Sequence, residues 1–343
     1  MKHILTLIAA FTLALTSANA QNATYHLPKT GVKLTLLIER TNYTPGDLAA
    51  YSQRFLKKTV SQEKSETFRI IDTNMSLCAI PDTSRIFTAH IDNKHNIQKL
   101  ALSEDNILLA INAEPKTMAE DVPFKSAPKA EQLDPYKYLS QEIVSSGSRT
   151  KMAELCAKEI YDIRESRNEL NKGDADYMPK DGEQLRLMLK GLDTQEKAIT
   201  QIFEGITVKD TIQQVITYIP EKESSNTPVF RFSKYYGLLD ADDLAGNPYY
   251  ITVEDLHSQP EPIVEPGKKT PKDETGVWIV LPGKARITLS DAQTSLSTIE
   301  TSLAQFGQVE NLNEPLFGKK VFTSIILHPY NGGIDKINSE QTK

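Results

Sequence analysis

The stretch DGEQLRLMLKGLDTQEKAITQIFEG, residues 181–205, has the pattern of a single unbroken helix. Its apolar side chains recur every three or four positions, which places them on one stripe of a helix. Asp181 and Gln184 have the spacing of a capping box, and Gly205 is a helix-ending residue. Charged and amide side chains fill the other faces, as in a solvated scaffold helix. A charge at Leu192, on the stripe, is therefore expected to destabilise the protein.

A second amphipathic helix is predicted immediately before this one. Apolar residues between Met152 and Leu170 recur at the same spacing, and Asn171-Lys172-Gly173 is a helix-ending signal. A connection of about eight residues favours two neighbouring antiparallel helices. Residues 149–205 are therefore predicted to form a helical hairpin.

The residues before the hairpin have the patterns of β-strands. Apolar and polar side chains alternate over 32–40, the period of a half-buried strand. Thr44-Pro45-Gly46-Asp47 predicts a turn, in which Asp47 caps a short helix over 48–56. Further strands are predicted at 68–80, 85–91 and 97–111, with polar turns at 81–82 and 92–94.

Strand patterns return after the hairpin. Asn331-Gly332 predicts a two-residue hairpin turn near the end of the chain. The segment 296–306 has apolar spacing that allows a helix, but its serine and threonine content favours a strand. The other strands are predicted at 215–219, 229–232, 276–281, 285–289 and 321–327.

The order of these elements predicts an α+β protein. Two mostly antiparallel β-domains, over 21–113 and 206–337, are joined by the long antiparallel helical pair. Prolines interrupt residues 114–148, which predicts a surface connection. Residues 338–343 are predicted to be a disordered tail.

Residues 1–20 have the pattern of a signal peptide. A short basic start is followed by an apolar run, Ile4 to Leu15, that is too short to span a bilayer. Ala18-Asn19-Ala20 supplies the small residues that signal peptidase recognises. The chain is therefore predicted to be exported to the periplasm or outside the cell, with cleavage of the signal peptide near Ala20. No later stretch approaches the roughly 20 apolar residues of a transmembrane helix.

Composition narrows the function classes. The net charge of −6 argues against nucleic acid as a partner, because nucleic acid requires a concentrated basic surface. The cysteines, Cys78 and Cys156, could form a disulfide worth about 2–4 kcal/mol in an oxidising compartment. They could instead be two separate buried thiols. Neither has a second ligand at the spacing of a metal site.

Acidic residues are the first candidates for chemistry. Asp240, Asp242 and Asp243 lie in a glycine-containing segment, and closely spaced carboxylates can bind Ca²⁺. The spacing of an EF-hand is absent, so we expect no cofactor and regard a capped turn with solvated acids as the simpler interpretation. If the protein is a hydrolase, these three and Glu254 are the candidate catalytic residues.

Tyrosines are the first candidates for contact with a sugar. Tyr235, Tyr236, Tyr249 and Tyr250 could form a flat aromatic platform. Neighbouring residues of a strand point to opposite faces, however, so at most one of each pair would contribute. The ordinary preference of tyrosine for strands explains the pattern equally well.

The remaining motifs are weak. His90, Asp92 and His95 could form a zinc site around a polar turn, although such a grouping often occurs by chance. No Gly-x-Ser-x-Gly, His-Glu-x-x-His or glycine-rich phosphate loop is present.

Several stretches together resemble a known family. They are YHLPKT (25–30), YTPGDLAAYSQRFL (43–56), the segment from Met178 to Gly205, VWIVLPGKARITL (277–289) and AQFGQVENL (304–312). In this order they resemble a family of exported proteins from Bacteroidetes that is catalogued as a domain of unknown function. The resemblance implies an envelope or secreted protein, and it implies no activity, substrate or catalytic residue.

These observations favour an exported, non-catalytic protein of the cell envelope that acts by binding or assembly. Its partner would be an envelope protein or a glycan. One alternative is a carboxylate-dependent hydrolase acting on glycans or peptides, and another is a carbohydrate-binding module without catalysis.

Overall fold

The protein is built mainly from antiparallel β-sheet. The computed structural model describes residues 21–91, 96–116, 124–126, 132–259, 276–312, 314–318 and 320–341. Its strands are β1 Gln21–Thr44, β2 Ser65–Ile91, β3 Leu100–Leu102, β4 Leu108–Ile111, β5 Ile206–Tyr218, β6 Ser224–Ser233, β7 Gly237–Leu239, β8 Asn247–Asp255, β9 Val277–Ser290, β10 Ser295–Leu312, β11 Val321–Leu327 and β12 Ile334–Gln341. Its helices are α1 Ser52–Phe55, α2 Gln141–Val144, α3 Arg149–Lys172, α4 Gly182–Glu204 and α5 Glu314–Phe317, with 3₁₀ turns at Ala49–Tyr51 and Pro135–Tyr138.

The described strands form three sheets. The first has the order β2-β1-β5, the second β10-β9-β8-β6-β7, and the third β12-β11-β4-β3. Neighbouring strands within each sheet are antiparallel. The long helices α3 and α4 pack against each other and form a separate core.

Two long hairpins, β1–β2 and β9–β10, each pass through two hydrophobic cores. In one core, alternate residues of β1 such as Leu34 and Leu36 pack against Ile287 of β9. In the other, Tyr25 packs with Val277, and its hydroxyl donates to the carbonyl of Trp278 at 3.0 Å and accepts from the N–H of Trp278 at 2.7 Å. The two hairpins therefore hold both cores together.

In both hairpins the strand pairing is irregular at the point where the chain passes from one core to the other. The register of β1 shifts between His26 and Pro28, and that of β10 shifts between Leu303 and Gln308. A Cβ atom on Gly307 would lie 2.0 Å from the carbonyl oxygen of Leu281, so this bend requires glycine.

Thr30 connects the two hairpins at this bend. Its buried hydroxyl donates to the carbonyl of Tyr330 at 3.0 Å and accepts from the N–H of Ala304 at 3.1 Å. The Gln305 side chain accepts from the Thr30 N–H at 3.0 Å and donates to the Thr30 carbonyl at 2.9 Å. The network satisfies backbone groups that the irregular strands leave unpaired.

The helix boundaries follow the signals in the sequence. The Ser148 side chain accepts from Lys151 N–H at the start of α3, and Gly173 ends that helix with φ of 79°. At the start of α4, Asp181 accepts from Gln184 N–H at 2.8 Å, and Gln184 accepts from Lys180 N–H at 3.0 Å. Both long helices are therefore fixed by local capping.

The turn after β1 attaches α4 to the first sheet. The N–H of Leu48 donates to the carbonyl of Ile202 at 2.8 Å. A Cβ atom on Gly46 would lie 2.2 Å from that same carbonyl oxygen, so the turn sits directly on the end of the helix. Gly205, with φ of 79°, leads from α4 into β5, which pairs with β1.

The division into two β-domains at 21–113 and 206–337 is not confirmed. β5 pairs with β1, and β4 pairs with β11, so strands from both ranges share sheets. Both sheet cores likewise contain residues from the two ranges. Local periodicity identifies a strand but gives no information about a distant pairing partner.

Several predicted boundaries are wrong for local reasons. The strand predicted at 97–111 is interrupted by a turn, because the N–H of Asn106 donates to the carbonyl of Ser103. The helix predicted at 48–56 is a 3₁₀ turn followed by α1, and its start has no side-chain cap from Asp47, which accepts from the hydroxyl of Tyr136.

The end of the chain also differs from the prediction. Residues 328–333 form a six-residue connection between β11 and β12, instead of a two-residue turn at Asn331-Gly332. Residues 338–341, predicted to be part of a disordered tail, belong to β12. The connection 114–148 contains the turn Pro135–Tyr138 and α2, and its residues 117–123 and 127–131 lie outside the described residues.

The turn predicted at Pro81-Asp82 is instead an irregularity inside the continuous strand β2. The Asp82 carboxylate is buried and accepts from Ser84 Oγ at 2.6 Å, while Lys29 and Arg85 lie at 3.9 and 3.4 Å. Burial raises the pKa of Asp82, but the Ser84 hydrogen bonds and the two cations outweigh burial and leave this pKa below its usual range.

The lowered pKa of Asp82 predicts a loss of stability in acid. Its contribution is fully present above the unfolded pKa of about 3.9 and is lost as the pH falls through the lower folded pKa. We expect Asp82→Asn to lower the free energy of unfolding by about 1–2 kcal/mol at pH 7. Urea titrations should show that parent and variant converge below pH 4. An equal difference at pH 7 and pH 3 would contradict this role.

Candidate functional site

The candidate carboxylates lie at the protein surface. Asp240, Asp242 and Asp243 are exposed in the turn between β7 and β8, where Asp243 accepts from the N–H of Ala245 at 2.9 Å. Glu254 is exposed near the end of β8 and accepts from Arg286. Within the described ranges, no group of three or more His, Cys, Asp or Glu residues is placed to hold a metal ion. The proposed calcium site therefore gains no support from this turn.

The four tyrosines lie in two places and differ in exposure. Tyr235 and Tyr236 are 64% and 69% exposed in the turn between β6 and β7. Tyr249 is partly buried and stacks on Phe230, with ring centroids 4.6 Å apart, beside a core. Tyr250 is its neighbour on β8 and is partly buried. Of the four, only the first pair is largely exposed.

The candidate zinc residues lie mostly beyond what the structure describes. The backbone of His90 pairs with Asn22 at the end of β2. Asp92 and His95 fall in the gap 92–95 between described residues.

No disulfide joins the two cysteines. Cys156 is buried in the helix core on α3, whereas Cys78 lies partly buried on β2 in the first sheet. Burial, with a smaller contribution from the charge of Glu159, raises the pKa of the Cys156 thiol to about 11. The structure thus holds two separate thiols, the second of the two alternatives.

Thiol labelling should distinguish these cysteines. We expect iodoacetamide to modify Cys78 in the native protein and to modify Cys156 only after unfolding, because Cys156 is inaccessible and protonated at neutral pH. Mass spectrometry would show one added group in the native chain and two in urea. A chain that accepts no label until it is reduced would contradict the separate thiols.

One cavity brings polar side chains together between the first and third sheets. Its volume is about 220 Å³, and its lining includes Lys33 and Cys78 from β1 and β2, Ser103 and Asp105 from the β3–β4 turn, and Tyr330. An amine, a thiol, a carboxylate and hydroxyls could bind a small polar molecule. The sequence pattern did not suggest this group, because its residues come from distant segments.

Between α3 and α4, a charged cluster lines a cavity of about 360 Å³. Glu196 accepts from Arg164 and from Arg167, both at 2.6 Å, and Arg167 also donates to Asp193 at 2.9 Å. These carboxylates raise the pKa of Arg167. Because the opposite charges satisfy one another, the cluster fastens the two helices together.

An apolar groove lies further along the same helices. Its volume is about 510 Å³, and Leu170, Tyr177, Met188 and Leu192 contribute to its lining. Leu192 is therefore only partly buried. Ile199, which lies further along the same apolar stripe of α4, is fully buried.

Strand β12 forms an open edge of the third sheet. It pairs with β11 on one side, and its other side faces no strand within the described residues. All eight of its residues are exposed. An open strand edge presents unpaired N–H and C=O groups that can hydrogen-bond to another strand. The sequence indicated a returning strand through Asn331-Gly332, but the polar residues after Ile337 gave no sign of its length.

Comparison with known proteins identifies a family. The family described as "Domain of unknown function (DUF4831)" matches residues 21–335. Searches of the curated proteins and of the solved structures found no match. In the part of the chain that the structure describes, no helix has the length and apolar character needed to cross a membrane.

Proposed function

We propose a function from the molecule itself, because the chain belongs to the DUF4831 family and the function of that family is unknown. The protein is an exported, non-catalytic component of the cell envelope. It acts by assembly with another protein chain, which adds a strand to β12.

The open edge of β12 is the observation that carries this proposal. Strand addition uses backbone hydrogen bonds for affinity and side-chain contacts for specificity. β12 offers both, because all eight residues are exposed and its outer side faces no described strand. Proteins commonly protect such an edge with charged side chains, a β-bulge, proline or a covering loop, and β12 has charged side chains such as Lys336 and a register shift beside Leu327. β12 contains no proline.

The N-terminal sequence supports the envelope location. Residues 1–20 have the charge, apolar run and small residues of a signal peptide. The family match begins at Gln21, directly after the expected cleavage point near Ala20. The matched residues therefore begin where the exported chain would begin after cleavage.

Neither alternative function has a comparable observation behind it. A hydrolase would need two carboxylates facing each other across a pocket, whereas Glu254 is exposed and paired with Arg286. A carbohydrate-binding module would need a coplanar set of exposed rings, whereas Tyr249 stacks on Phe230.

The proposal is tested by purifying the tagged full chain gently from its native cells. Ile337→Pro and Asn338→Pro are made as a pair, because successive N–H groups of a strand point to opposite edges. Proline at the inward-facing position removes a hydrogen bond to β11 and should lower the melting temperature. The variant that melts like the parent has therefore lost the outward-facing N–H. We expect the parent to carry a partner chain at a fixed ratio and this variant to lose it.

A proline in the β3–β4 turn provides the matched control. Glu104 follows Ser103, whose carbonyl accepts from Asn106 N–H at 3.0 Å, so Glu104 has the turn position that favours proline. Glu104→Pro should keep the partner. If both variants retain the partner at the parent's ratio, β12 is not the assembly surface.

A further inference from the structure

We propose that the strand added to β12 is β12 of a second copy of this chain. The two strands run antiparallel, with Asn338 opposite Asn338, and join the two third sheets into one. This inference rests on the proposed function, because it uses the same open edge. It does not depend on the cellular location.

Within the described residues, β12 is held by its ladder with β11 and by side-chain contacts such as those of Asp335 with Lys116 and of Ser339 with Thr323. Both of its faces are exposed, with Ile334 and Ile337 at 40% and 44% exposure, and its ladder is formed with β11 alone among the described strands. A strand with one ladder and exposed side chains gains little stabilisation from the burial of apolar surface. A second ladder on the outer edge would supply the missing stabilisation.

The other edge strands differ from β12, because each has a face against a core. Leu303 and Ala304 of β10 are fully buried, and Ile212 and Ile216 of β5 pack against the core between the first two sheets. These edges are stabilised by their own chain. Among the edges compared, β12 is the one that gains most from a partner.

The positions of the charged residues on β12 favour a second copy as that partner. With Asn338 at the centre of an antiparallel pair, Lys336 lies opposite Glu340 of the second copy, and Glu340 lies opposite Lys336 of the second copy. Opposite charges directly across two strands stabilise the pairing. A two-fold axis through Asn338 therefore produces the favourable contact twice.

Ile337, one of the two isoleucines of β12, fits the same register. Ile337 pairs with Ile325 of β11, which is fully buried, so Ile337 lies at the rim of a core. In the proposed register, Ile337 of each copy lies diagonal to Ile337 of the other, on the face opposite the charges. The pairing would bury the exposed rim in both copies.

Charge reversal tests the register. Lys336→Glu and Glu340→Lys each place like charges opposite each other twice, whereas the double variant restores opposite charges. Sedimentation equilibrium of the purified chain should show a dimer whose dissociation constant rises about tenfold in each single variant. The double variant should return to within about threefold of the parent. If the dissociation constant of the double variant instead rose by the combined effect of the two single variants, the register would be wrong.

Cysteine cross-linking provides a second measurement. Asn338→Cys places two thiols directly opposite each other, within the range of a disulfide, so mild oxidation should give a covalent dimer. Gln341→Cys is the matched control, because the register separates its two copies by about 20 Å. Equal cross-linking of the two variants, or none at position 338, would overturn the proposal.

The outcomes separate this inference from the proposed function. A monomeric parent that nevertheless carries another protein through β12, lost with the outward-facing proline, overturns the second copy and supports the proposed function. A monomeric parent whose partners are unaffected by that proline overturns both.

Discussion

Ile199→Asp is expected to abolish stable folding. Ile199 is fully buried in the helix core, where it packs in one cluster with Cys156, Ile160 and Phe203. The cluster is apolar, so the new carboxylate would be buried without a partner and would cost at least about 4 kcal/mol. That is a large part of the total stability of about 5–15 kcal/mol typical of a protein. Circular dichroism and thermal melting should show a chain without a cooperative transition.

Leu187→Asp is the matched control, because Leu187 lies on the same helix but is 56% exposed. We expect the free energy of unfolding to change by less than about 0.5 kcal/mol. Leu192→Asp, which the sequence pattern predicts to be severely destabilising, should fall between these two, because Leu192 borders the open apolar groove. Parent-like melting of Ile199→Asp would contradict the placement of α4 against α3.

Thr30→Val is expected to lower the free energy of unfolding by about 3 kcal/mol. Valine nearly preserves the shape of threonine, but it removes the hydroxyl that donates to the Tyr330 carbonyl and accepts from Ala304 N–H. Both backbone groups would then lose this partner in a buried site, at about 1–3 kcal/mol each. Urea denaturation of parent and variant measures the difference.

Thr288→Val controls for the change of residue type in a strand. The hydroxyl of Thr288 lies within 3.2 Å of the Thr298 hydroxyl at the protein surface, where water can replace the contact. We expect a change of less than about 0.5 kcal/mol. If Thr30→Val were equally mild, the connection between the two hairpins would depend on apolar packing instead of this network.

Local signals in the sequence identified the elements that local forces determine. Asp181 and Gln184 predicted the start of α4, and the alternation over 32–40 predicted part of β1. The serine- and threonine-rich segment 296–306 lies within strand β10, as its composition indicated. In each case the deciding interactions lie within a few residues of one another, so the sequence pattern contains them.

These local signals could not predict which strands pair when the strands are distant in sequence. β1 pairs with β5, although the two long helices lie between them in the chain, and alternation carries no information about such a partner. The bend at Thr30 likewise depends on Gln305 and Tyr330, which are distant in sequence. The division into two β-domains was an inference from chain order, and chain order does not determine how sheets form.

The same contrast between local and long-range information applies to the candidate sites. The turn residues Asp240 to Asp243 were recognised because they are adjacent, yet adjacency in an exposed turn does not build a pocket. The open edge of β12 was missed because an exposed strand with polar side chains lacks the apolar period on which prediction depends. Its importance follows from its position as an edge strand of the third sheet.

Hydrogen exchange of residues 334–341 can show whether another strand covers the outer edge of β12. The protein is isolated gently from its native cells, and exchange is followed in the assembled state and again after dilution separates the chains. Assembly through β12 predicts that alternate amides of this strand, those facing outward, exchange slowly in the assembly and rapidly after dilution. Equally rapid exchange of these amides in both states would show that no strand covers the edge, and would contradict the proposed function.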